Sequence, residues 1–171
     1  MYDPTIFENL KVAIENQVYD LDNLERIIDI TNRDDRMDFS VMARDFAIEF
    51  TLVDHDNVTA EIVLKASLED LAAEILEKPD ANPGCFLILR FYKQVQNVTE
   101  QCKNIELALN GIWEEDVYIT QTLSFVYGHE SSSYMNMIEV VFNHKINEDH
   151  ISEIPEFLDH VLETLVVLND I

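Results

Sequence analysis

The residues of this chain that could do chemistry are thirty-four carboxylates, five histidines and two cysteines. Their spacing decides what chemistry is open to them. Asp20-Leu21-Asp22 begins like a calcium loop, but position six is Glu25 where a glycine makes the sharp turn, and position twelve is Thr31 where a bidentate glutamate closes the shell. Asp54-His55-Asp56 puts three potential ligands side by side, yet alternate residues of an extended turn project apart, and Asx-rich turns form without metal. No two of His144, His150 and His160 have the i,i+4 spacing of a helical zinc site, and no paired cysteine adds sulfur. His129-Glu130 lacks the second histidine of a metalloprotease motif. The histidines therefore read as surface or boundary residues.

Nucleophiles fare no better. Cys85 falls in an apolar strand-like run and Cys102 on the apolar stripe of a helix, so both read as inert, reduced thiols. No serine has the flanking glycines of a nucleophile elbow, and Ser131–Ser133 reads as a hairpin tip. Gly84, Gly111 and Gly128 are the only glycines, and neither a phosphate-cradling loop nor a dinucleotide fingerprint can be written with them. A carboxylate pair brought together from distant segments leaves no spacing signal. The expectation is no catalytic residue, no metal and no cofactor, with binding favoured over catalysis.

The carboxylates matter more as a field. Eleven basic residues leave a formal charge of −23, which repels nucleic-acid backbones and anionic membranes and attracts basic partners. With 47% apolar residues, nine Phe and six Tyr, the chain has enough apolar surface to fold despite that charge. The expected organisation is one domain over residues 1–171. No secretory leader is read in MYDPTIFENLKVAIE and no run reaches membrane-spanning length, so a cytoplasmic protein is expected.

The elements that must position these residues follow from periodicity. Asp3 and Pro4 suit a helix start, with Phe7, Leu10, Ile14 and Val18 on one face. Ile27 to Ile30 reads as a short strand stopped by a turn at Asn32–Asp35. Phe39, Val41 and Ala43 then alternate, and Phe46, Ile48, Phe50 and Leu52 alternate on the other parity, which requires a bulge or turn near Arg44-Asp45. Asp54–Asn57 connects to a strand carrying Val58, Ala60, Ile62 and Leu64. A helix from Ser67 is expected to bury Leu68, Leu71, Ala72 and Ile75, and Cys85–Val95 reads as a central strand apolar on both faces at its start. A helix capped by Thr99 runs to Trp113, and Val117–Tyr127 and Tyr134–Lys145 form a hairpin. The chain closes on a strongly amphipathic helix with Ile151, Ile154, Leu158, Val161, Leu165 and Leu168 on one stripe, widened by Phe157, Leu162 and Val166. The predicted class is α+β, a mostly antiparallel sheet of five to six strands with helices on one face.

This element order is similar to that of the small acidic dimeric chaperones of type III secretion, a pattern in which the helix ending at Trp113 has no counterpart. The likeness is one of architecture, and function does not follow from fold; a non-enzymatic adaptor or chaperone-like role is expected from the width of the terminal stripe, nine apolar positions between Ile151 and Leu168. Its candidate interaction surface is the terminal stripe, Ile154, Phe157, Leu158, Val161, Leu165 and Leu168. The expected partners are a protein, favoured by charge to be basic, and a second copy of the chain. A small-ligand-binding protein or enzyme with a cavity between sheet and helices, lined by Trp113, Tyr92, Tyr118, Tyr127 and Tyr134, is the first alternative, and an acidic nucleic-acid-mimic inhibitor is the second.

Overall fold

The computed structural model describes residues 5–114, 116–129 and 132–171. It shows an α+β fold in which six antiparallel strands form one sheet, in the order β1-β2-β3-β4-β6-β5. The strands are β1 (Ile28–Asp38), β2 (Ala43–Leu52), β3 (His55–Ala66), β4 (Phe86–Val95), β5 (Val117–Ser124) and β6 (Tyr134–Phe142). The helices are α1 (Ile6–Asn23), α2 (Leu68–Ile75), α3 (Val98–Ile112) and α4 (Ile154–Asp170), the last preceded by a 3₁₀ turn at Glu148–Glu153. β1 to β4 form a meander with α2 inserted before its last strand. β4 and β5 run the same way on either side of β6, so their connection must cross the sheet face, and α3 is that crossover.

Alternation explains which face is covered. Phe46, Ile48 and Phe50 of β2, Ala60, Ile62 and Leu64 of β3, and Leu89 and Phe91 of β4 are all closed to solvent. Against them pack Phe7, Leu10, Ile14 and Val18 of α1 and the stripe of α4. Burying each such side chain contributes about 1.5–3 kcal/mol, so these two helices fix the sheet. Thr5 caps α1 by accepting the Glu8 N–H at 3.2 Å. Asp3 and Pro4, expected at that helix start, and Glu130 and Ser131 of the expected hairpin tip lie outside the described residues. Among the described residues, no helix is long and apolar enough to cross a membrane.

Three expectations need correction. β1 does not stop at Ile30: the register shifts between Ile30 and Asn32, and the strand continues to Asp38. The bulge at Thr31 changes parity, so Arg33 and Asp35 point to the helix face and find charged partners on α1 where a solvated turn was expected. The reversal comes at residues 39–42, where Met42 has φ 54°, and Phe39 and Val41 stand exposed at its tip. In α2 the inward residue is Asp70, with Leu68 and Ile75 outside. Lys145 turns the helix this way, its Nζ reaching both Asp70 carboxylate oxygens at 2.8 and 2.9 Å. The cap of α3 is Asn97, two residues before Thr99, because Asn97 accepts from the Glu100 N–H while the Gln101 side chain accepts the N–H groups of Gln96 and Asn97.

At the start of β4 the chain passes close to the end of β6. Cys85 and Ile146 exchange backbone hydrogen bonds at 2.8 and 2.9 Å. A Cβ on Gly84 would stand 2.8 Å from the Ile146 carbonyl oxygen, so only glycine permits this approach.

Candidate functional site: a carboxylate-rimmed aromatic cleft

The terminal stripe lies inside the molecule. Ile154, Leu158, Val161, Leu165 and Leu168 are each at most 5% exposed and belong to the core of this chain. Phe157 is half-buried at its edge, and Val166 is the large apolar residue that α4 leaves outside. The five aromatic residues of the expected cavity do not meet: Tyr92 and Tyr118 are on the uncovered sheet face, Tyr127 is exposed, and Tyr134 stacks edge-on with Phe125.

What does converge is a set of residues from three segments around Trp113. α3 ends at this residue, whose N–H still bonds the Leu109 carbonyl at 2.8 Å while its extended φ and ψ send the chain toward β5. Its indole Nε1–H donates to Thr164 Oγ1 at 3.1 Å, and that hydroxyl donates to the His160 carbonyl at 2.7 Å. A buried indole N–H needs such a partner, and the bond ties the ring to α4. Phe142, the last residue of β6, meets Trp113 edge-on at 5.7 Å between centroids. Phe157 from the first turns of α4 lies 5.9 Å from Trp113 and 5.8 Å from Phe142, and the His160 ring 5.6 Å from Trp113.

These rings floor an open cleft of about 400 Å³. Glu114, Asp116, Glu153 and Glu156 rim it, together with His144 and His150. His144 Nε2 lies 3.5 Å from Asp116 Oδ2, and His150 Nδ1 accepts the Asn147 N–H at 3.0 Å. All three histidines read from sequence as boundary residues thus line one cleft. No group of three side chains with metal-holding geometry occurs among the described residues.

The charge around the cleft is one-sided. From Ile146 to the end of the sequence there are seven carboxylates and no Lys or Arg. Several basic residues elsewhere in the chain are engaged in ion pairs. Arg33 pairs with Glu15, Arg44 with Glu8 and Asp35, and Lys11 with Glu8 and Asp35. On the uncovered sheet face Arg90 bridges Glu61 and Glu139 at 3.2 and 2.8 Å, and Tyr92 donates to Glu61 at 3.1 Å. Burial and then the Glu61 charge push the Tyr92 phenol up to about 12.

Other chemistry-bearing groups are closed off. Burial, then the charges of Asp70 and Glu74, push the Cys85 thiol up to about 12, and burial raises Cys102 as well. Both are free thiols without thiolate character at neutral pH. A second cleft of about 510 Å³ lies between α2 and the β1–β2 hairpin, and its charged members are already engaged, Arg44 with Asp35 and Arg36 with Asp34.

Comparisons with family models, curated proteins and solved structures found no match for this chain. Its functional reading therefore rests on the geometry alone. The sequence did not single out Phe142, Glu153 or Glu156. Trp113, Phe157 and the histidines His144, His150 and His160 were noted in the sequence but not as one site, because they come from strand and helix ends, where no period marks a common face.

Proposed function

We propose that this chain is a non-enzymatic interaction module that receives a basic protein partner on its α4 side. The observation that carries this reading is the separation of charge. Seven carboxylates after Lys145 have no Lys or Arg among them, while Lys11, Arg33, Arg44 and Arg90 are held in internal pairs. A surface served only by solvation needs no such segregation, and an unneutralised patch steers a complementary partner. The two free thiols, with no disulfide between them, support a reducing compartment, the cytoplasm.

A second copy of the chain is the other partner we propose. Its support is β5, an outer strand whose eight residues VYITQTLS carry no charge, although edge strands are ordinarily guarded by charge or proline.

A pull-down from native lysate followed by salt titration tests the first reading. Binding should fall steeply between 50 and 300 mM salt, and charge reversal at the exposed Asp159 and Glu163 should weaken it about ten-fold or more. A partner that survives high salt and both reversals would remove the proposal.

A further inference from the structure

We infer that the cleft floored by Trp113, Phe142 and Phe157 binds an alkylammonium head group, an N-methylated cation carried on a free small molecule or on a modified lysine side chain. The inference deepens the proposed function and rests on it for the sign of the partner's charge. Three features lead to it. Trp113, 6% exposed, and the half-buried Phe142 and Phe157 line the cleft, and aromatic π systems attract a cation. Trp113 is fixed in place by its bond to Thr164, so the floor is preformed. Glu114, Asp116, Glu153 and Glu156, all solvent-exposed, also line the cleft and supply negative potential.

The same geometry selects among cations. A bare ammonium carries three N–H groups that lose water on entry and need acceptors. Trp113, Phe142 and Phe157 offer none, because the indole N–H is a donor and already taken and the phenylalanine rings have no polar atom, so acceptors are left only to the His160 ring beside them and to the carboxylates. Methyl groups remove that requirement and fill the apolar space while leaving the charge intact. An anion would meet the carboxylate rim, and a metal ion would find no ligand set among the described residues.

Trp113 is the only tryptophan of the chain, so its emission reports on this cleft directly. The experiment titrates the full-length protein with choline, with its uncharged isostere 3,3-dimethylbutan-1-ol, and with a short peptide carrying trimethyl-lysine or plain lysine. Choline or the trimethylated peptide should give a saturable change, with the isostere and the plain peptide at least ten-fold weaker. Saturation by choline alone identifies a free cation as the source, and saturation by the modified peptide a protein side chain. Phe157→Leu should weaken binding at least five-fold. The double variant Glu153→Gln/Glu156→Gln, altering only exposed side chains, should weaken it about three-fold with an unchanged melting temperature. Equal affinity for the isostere, or no saturable response to either cation, overturns the inference. The two proposals fail separately. Asp159 and Glu163 do not line the cleft, so their reversal should weaken partner capture about ten-fold or more and spare choline, while loss of choline binding with capture intact sinks the cleft alone.

Discussion

Glu49 and Glu61 face each other across β2 and β3 on the sheet face that no helix covers. Partial burial, then the hydrogen bond and charge of Glu61 and the charge of Asp34, raise the Glu49 carboxyl above its ordinary value of 4.5. A carboxyl raised in the folded state contributes fully below its unfolded pKa, and that contribution is lost as pH rises through the folded value. At neutral pH the pair is therefore a liability. Glu49→Gln should stabilise the protein by about 0.5 kcal/mol at pH 7, the size of a like-charge cross-strand pair, and by nothing below about pH 4. Urea midpoints at the two pH values measure this, and a gap independent of pH would show that the carboxyl is not the cause. No sequence pattern marks this pair, because its register is set by the turn at Asp54, whose φ is 62°.

At the scale of elements, the outer half of the β1–β2 hairpin has few core side chains and is held to α1 by charge. Partial burial pushes the Glu8 and Asp35 carboxyls up, but the hydrogen bonds and charges of Arg44 and Lys11 outweigh it and hold both below their ordinary values. Arg44 also lies over the Phe7 ring at 4.5 Å. Carboxyls lowered in this way stabilise above their unfolded pKa values, and the contribution is lost as pH falls through the folded ones. Arg44→Met should leave Glu8 and Asp35 half-buried without their shared guanidinium, at a cost of about 1–2 kcal/mol. Hydrogen exchange should quicken over residues 33–44 in this variant, and in the wild type on acidification below about pH 4, with core amides unchanged. Uniform quickening of every amide would mean that the hairpin is not held independently. This is also where sequence reading reached its limit. The stripes of α1 and α4 were legible because each repeats every three or four residues over several turns. The bulge at Thr31 inverted the alternation of β1 without a glycine or proline to mark it, and the eight-residue α2 was rotated by one ion pair, Asp70 with Lys145. The aromatic cleft was not legible because Trp113, Phe142 and Phe157 each end or begin an element, and only the closed sheet brings those ends together.

For the whole molecule, the proposed pairing with a second copy has to overcome a charge of −23 on each chain. The two edges of the sheet differ. β1 carries charges of both signs from Arg33 to Asp38, with Arg36 paired to Asp34, and such an edge resists strand addition. β5 presents backbone groups flanked by threonine, glutamine and tyrosine, and an antiparallel pairing of two such edges would continue the sheet into a twelve-stranded one, twice the six strands of one copy. Repulsion between two acidic bodies opposes this at low ionic strength and is screened within about 8 Å at physiological salt. The dimer should therefore strengthen as salt rises, opposite to the capture of a basic partner. Light scattering coupled to size exclusion should show mass moving from 19.8 kDa toward twice that value between 20 and 300 mM salt. A lysine placed on the edge, Thr120→Lys, should abolish the shift by putting like charges across the new strand pair. A single 19.8 kDa species at every salt concentration, or a dimer indifferent to Thr120→Lys, would leave β5 as an edge that this protein tolerates without using.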